Sequence, residues 1–69
     1  MYKNLIKAMN EEHVTYTQIA KLLGKRYQTI SDTANGSTKK GFYFQEACKI
    51  QKVFFPKYDV QYLFTRELS

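Results

Sequence analysis

The spacing of Ala20, Gly24 and Ile30 constrains this chain more than any other feature of it. Thr15 is followed three residues later by Gln18, the separation of a capping box, which predicts a helix starting just after Thr15. Ile19, Ala20, Leu22 and Leu23 give that helix an apolar face, and Gly24 can take the positive φ that commonly ends a helix. Beyond a polar Lys25-Arg26 link, Tyr27 to Ala34 reads as a second short helix anchored by Ile30, and Asn35-Gly36 stops it. Ala20 is small where the following helix must pack closely. Gly24 supplies the left-handed turn, and Ile30 plugs the second helix into a shared core. A simple helical hairpin does not require all of these together. The spacing therefore predicts a helix-turn-helix over about residues 15–35.

The rest of the chain is built to enclose that unit. Leu5, Ile6 and Met9 fall at helical spacing and predict a first helix over Tyr2 to Glu12. Phe44 to Phe54 predicts another, with Ala47, Ile50, Val53 and Phe54 along one face, and Pro56 forbids its continuation. Asp59 can cap a last short helix through Phe64, returning Leu63 and Phe64 to the core. No stretch alternates with period two for long enough to predict a strand. With 69 residues the chain fits one domain, spanning 1–69, and a chain this short buries only about 60% of its unfolded surface. The expected fold class is all-α: a compact bundle of five helices.

Composition excludes several classes of function. No apolar run approaches the roughly 20 residues that span a bilayer, and MYKNLIKAMNEE carries no secretion signal, so neither a membrane partner nor export is expected. Cys48 is the single cysteine, which rules out an internal disulfide and fits a reducing cytoplasm. It lies among core positions and is expected to be a buried, inert thiol. His13, the only histidine, sits at a helix end, where a surface or capping role is expected; one His and one Cys cannot make a zinc site. Glu11, Glu12, Asp32, Glu46, Asp59 and Glu67 show no spacing that pairs them for acid–base work, and Ser31 has no base partner. Neither catalysis, a cofactor, a metal nor a small-molecule ligand is expected.

Charge and aromaticity are unevenly distributed. The net charge is +5, and its excess lies between Lys21 and Lys40, where Lys21, Lys25, Arg26, Lys39 and Lys40 face only Asp32. A local basic surface suits a polyanion, because neutralising phosphates releases condensed counterions; the alternative is an ordinary solvated face. Eight of the eleven Phe and Tyr residues lie at or after Phe42. A bundle this small cannot readily bury all of Phe42, Tyr43, Phe44, Phe55, Tyr58 and Tyr62. The excess either forms a protein interface, with Phe55, Tyr58 and Tyr62 as the candidate residues of a dimer contact, or covers the lower edge of the core.

The stretch from Leu5 to Phe64 resembles the XRE-type, lambda-repressor-like domains of bacterial and phage regulators, including the Cro proteins. The likeness is carried by I-A-K-L-L-G (Ile19–Gly24), Q-T-I-S (Gln28–Ser31), N-G (Asn35, Gly36), A-C-K-I-Q-K (Ala47–Lys52) and D-V-Q-Y-L-F (Asp59–Phe64). The resemblance implies a five-helix fold that acts as a homodimer on near-palindromic double-stranded DNA, without cofactors. It places the recognition helix Tyr27–Ala34 in the major groove, N-terminal end foremost. It makes Tyr27, Gln28, Thr29, Ser31 and Asp32 the base-contacting candidates, with Gln28 able to bond adenine N6 and N7 together. Thr17, Lys25, Arg26, Thr38, Lys39 and Lys40 become the candidates for the DNA backbone, which set position and affinity. The chain departs from the family pattern in carrying Tyr16 where Gln is common, and Arg26 where Ser or Thr usually caps.

The expected function is a sequence-specific transcriptional regulator, a Cro-like repressor of phage or mobile-element type that occludes promoter DNA. The alternative is a protein-interaction module on the same fold, whose partner is a repressor or a toxin. Tyr27, Asp32 and the aromatic C-terminal half favour that alternative.

Overall fold

The structure is a computed structural model, described for residues 1–66. Five helices follow one another: α1 (Lys3–Glu12), α2 (Tyr16–Leu23), α3 (Tyr27–Ala34), α4 (Phe44–Phe54) and α5 (Val60–Leu63). No strand occurs among the described residues. Among them, too, no helix is long and apolar enough to cross a membrane.

The predicted capping box opens α2. The Gln18 N–H donates to Thr15 Oγ1 at 3.3 Å, and Gln18 Oε1 accepts from the Thr15 N–H at 2.8 Å. Gly24 ends α2 with φ +66, and the Lys25 N–H donates to the Ala20 carbonyl at 2.9 Å. The chain can thus reverse at once into α3, whose chief packing partner among the helices is α2. α3 commits only Ile30 and Ala34 to the interior. His13 caps α1 at φ 58, a left-handed conformation more usual for glycine, and its ring stays exposed.

The core gathers Leu5, Ile19, Ile30, Ile50, Phe55 and Leu63, all essentially without solvent contact, around Ala8, Met9 and Ala20. Tyr2 closes one end. Its ring packs against Phe42 and Phe64 at centroid distances of 5.2 and 5.9 Å, and its hydroxyl accepts the Phe42 N–H at 3.0 Å. The Tyr2 N–H reaches the Ala34 carbonyl at 2.9 Å, so the start of the chain pins the end of α3.

Four expectations about the second half need correction. Phe54 is not the buried ring of the α4 terminus; it is half-buried at the margin, and Phe55 takes the core position at 1% exposure. The reason is local: α4 ends at Phe54, and Phe55 leaves the helix with φ −132 and ψ 53, which turns its ring inward. Val53 lies on the outer face of α4 and is exposed, and Cys48 is half-buried rather than enclosed. Asp59 precedes α5 without bonding any of its amides through the carboxylate.

Candidate nucleic-acid interface

The outward face of α3 follows from its periodicity. Ile30 and Ala34, four apart, point inward, so Gln28 and Asp32, also four apart, share a row on another side of the helix. Tyr27, Gln28 and Thr29 are exposed, and Ser31 and Asp32 are partly so. Tyr27 retains about half of its surface, at 53%. Its ring meets that of Tyr16 edge to face at 5.8 Å, which gives the first turn of α3 an aromatic corner. Burial, followed by the nearby Tyr27 hydroxyl, pushes the Tyr16 phenol above its ordinary range, although a hydrogen bond with Asn35 works against this. Beside the corner, a groove of about 400 Å³ is lined by Ile6, Met9, Val14, Tyr16 and Tyr27.

The polar groups of α3 are largely bonded to one another. Gln28 Nε2 donates to Asp32 Oδ1 at 2.8 Å. Thr33 Oγ1 donates to the Thr29 carbonyl at 2.8 Å. Asn35 Nδ2 donates to the Ser31 carbonyl at 2.8 Å and approaches Ser31 Oγ at 3.3 Å. Arg26 precedes α3 with extended backbone and no capping bond from its side chain. The first amides of α3 are thus not capped by this side chain, and the end of the helix carries partial positive charge.

The basic candidates divide. Arg26, Lys39 and Lys40 are exposed, as is Thr17. Lys25 is held elsewhere: its ammonium pairs with the Glu46 carboxylate and lies 5.6 Å from the centre of the Tyr43 ring. Glu46 also accepts the Tyr43 N–H at 3.0 Å, so this ion pair braces the α2–α3 turn against the start of α4. Thr38 folds its hydroxyl back onto the Lys40 carbonyl at 2.6 Å.

Arg66 escaped sequence reasoning. Its guanidinium lies 5.9 Å from the centre of the Tyr2 ring and donates to the carbonyls of Thr38, at 2.6 Å, and Lys39, at 3.0 Å. It thereby shapes the loop that carries Lys39 and Lys40. No local pattern signals this, because the partners lie 27 and 28 residues apart.

The candidate dimer surface changes. Phe55 is withdrawn from it, since its ring is enclosed by the core. Tyr62 is exposed and stacks on Tyr58 at 6.4 Å with an interplanar angle of 21°. Tyr58 is half-buried and donates its hydroxyl to Glu11 Oε2 at 3.0 Å, with Glu12 Oε2 at 3.4 Å. The aromatic group that most faces water is Phe44, at 75% exposure. It borders a groove of about 260 Å³ with Tyr2, Phe42, Ala47, Val60 and Phe64.

Among the described residues no cluster of His, Cys, Asp or Glu could hold a metal ion. Glu67 lies outside the described residues. No protein-family model, curated protein or solved structure matches this chain.

Proposed function

We propose that the chain is a sequence-specific double-stranded DNA-binding protein that regulates transcription, with α3 entering the major groove. One observation carries the reading. α3 spends only Ile30 and Ala34 on the core and is packed chiefly by α2, which leaves Tyr27, Gln28 and Thr29 exposed in its first turn. A helix held along one side and bare along another has the shape a major groove accepts. The free positive charges of Arg26, Lys39 and Lys40 support it, since phosphate contacts set affinity while base edges set specificity. The work envisaged is that of a Cro-like repressor: occlusion of a promoter by binding, with no chemistry.

A homodimer fits this role, because two copies of α3 about 34 Å apart would meet successive major grooves. Tyr62, with Tyr58 behind it, and Phe44 are the residues we assign to such a contact. The same exposed aromatics favour a second reading, in which the main partner is another protein, such as a repressor or a toxin.

Selection from random-sequence duplexes, sequenced at two salt concentrations, tests the proposal. Enrichment of a near-palindromic site whose binding weakens steeply with salt is the expected result. Weak binding that enriches no sequence would sink it in favour of the protein partner.

A further inference from the structure

The bond between Gln28 and Asp32 carries a consequence for which bases α3 can read, and it rests on the DNA-binding reading above. A carboxylate only accepts hydrogen bonds, so of the two ends of the Gln28 amide it attracts the NH₂ and repels the carbonyl. The 2.8 Å contact from Gln28 Nε2 to Asp32 Oδ1 has this polarity. Held so, the amide cannot turn over without bringing Gln28 Oε1 against the carboxylate. The pair then offers a base Gln28 Oε1 and the second Asp32 oxygen, both acceptors, with one remaining N–H of Gln28 as a donor.

We infer that Asp32 is a positioning and specificity-determining residue: through Gln28 it makes this row of α3 a reader of exocyclic amino groups. Adenine presents an N6 donor beside an N7 acceptor, which matches Gln28 Oε1 and the remaining N–H. Cytosine presents its N4 donor to either oxygen. Guanine presents only acceptors along its major-groove edge, O6 and N7, and thymine presents O4 and a methyl group. Either base can accept only the one remaining N–H, and leaves Gln28 Oε1 and the second Asp32 oxygen without a donor. A glutamine free to rotate could give both N–H groups to guanine O6 and N7, and Asp32 occupies one of them. The same carboxylate repels phosphates, so it weakens binding to every sequence while sharpening the choice at one position.

The test uses the full chain in random-duplex selection, as wild type, Gln28→Ala and Asp32→Ala. The position whose preference disappears in Gln28→Ala is the one read by the pair. The wild type is expected to enrich adenine or cytosine there, with discrimination on the order of ten-fold over guanine. Asp32→Ala is expected to admit guanine at that position to within a few-fold, and to bind all sequences more tightly at low salt. Alanine favours helix and Asp32 is partly exposed, so thermal unfolding should show the fold retained. A second measurement leaves the protein unchanged: the selected base is replaced by its analogue lacking the exocyclic amino group. The wild type should lose about ten-fold and Asp32→Ala much less.

Wild-type binding left unchanged when the adenine or cytosine of the selected pair loses its exocyclic amino group would overturn the inference. So would an Asp32→Ala preference identical to wild type, or a Gln28→Ala preference that changes at no position. A wild type that enriches no sequence overturns the DNA-binding reading itself and takes the inference with it.

Discussion

Gly41 is the residue whose substitution the structure forbids most directly. A β-carbon placed there would collide with the hydroxyl of Tyr2, whose ring is wedged between Phe42 and Phe64 and cannot swing aside. Gly41→Ala is expected to cost roughly 1–3 kcal/mol, the usual range for overpacking a core. Urea unfolding measures it, and the cause can be isolated. Because the clash is with the hydroxyl, Gly41→Ala should cost less in a Tyr2→Phe background than alone; additive losses would place the strain elsewhere. At Gly24 the space is open, and only the φ of +66 opposes alanine, for about 1–2 kcal/mol, with no coupling to Tyr2. Tyr58 gives a second prediction at this scale. Its hydrogen bond to the Glu11 carboxylate, then burial and the charges of Glu11 and Glu12, push its phenol up to about 12. A phenol raised in the folded state contributes stability that is intact below about 10 and is lost as pH rises through about 12. Alkaline titration followed by phenolate absorbance should therefore show a last step near 12 that is absent from Tyr58→Phe.

At the level of helices, the two ends that frame the turn are capped unequally. Thr15 and Gln18 satisfy each other's amides, so Thr15→Ala should cost about 0.5–2 kcal/mol. Arg26 bonds nothing at the head of α3, so Arg26→Ser should return about 1 kcal/mol in thermal unfolding. If Arg26 serves phosphate, the same change should weaken DNA binding. A gain in stability with unchanged affinity would remove Arg26 from the interface. This inequality is legible in the sequence, because caps, turns and periodicity act over three or four residues. The bounds of α2, α3 and α4 were equally plain, since Thr15, Gly24, Asn35-Gly36 and Pro56 are local punctuation. The identity of the buried ring at the end of α4 was not. Helical periodicity assigned Phe54, but one non-helical residue after the helix stop exchanged its place with Phe55. The ties from Lys25 to Glu46, Tyr58 to Glu11 and Arg66 to the Thr38 loop were hidden for a different reason. They join residues far apart in sequence, and long charged or phenolic side chains leave no periodic trace.

For the molecule as a whole, the question is how much of its positive charge is free to meet a polyanion. Sequence counting credits Lys25 to the basic segment between Lys21 and Lys40, because its partner Glu46 lies outside that segment. In three dimensions the pair is already matched, whereas Lys39 and Lys40 stand in the loop held by Arg66 with their side chains exposed. Counterion release depends on charge that phosphates newly neutralise, so equal residues should contribute unequally. Lys39→Ala and Lys40→Ala should each flatten the slope of log affinity against log salt by about 1. Lys25→Ala should leave that slope nearly unchanged. Glu46→Gln should steepen it, since it frees the Lys25 ammonium without removing it. These variants can be measured on one selected duplex across a salt series. If Lys25→Ala flattens the slope as much as Lys39→Ala, the Glu46 pair must open when DNA binds. The brace between the α2–α3 turn and α4 would then be released on DNA, and affinity would be coupled to the packing of α4.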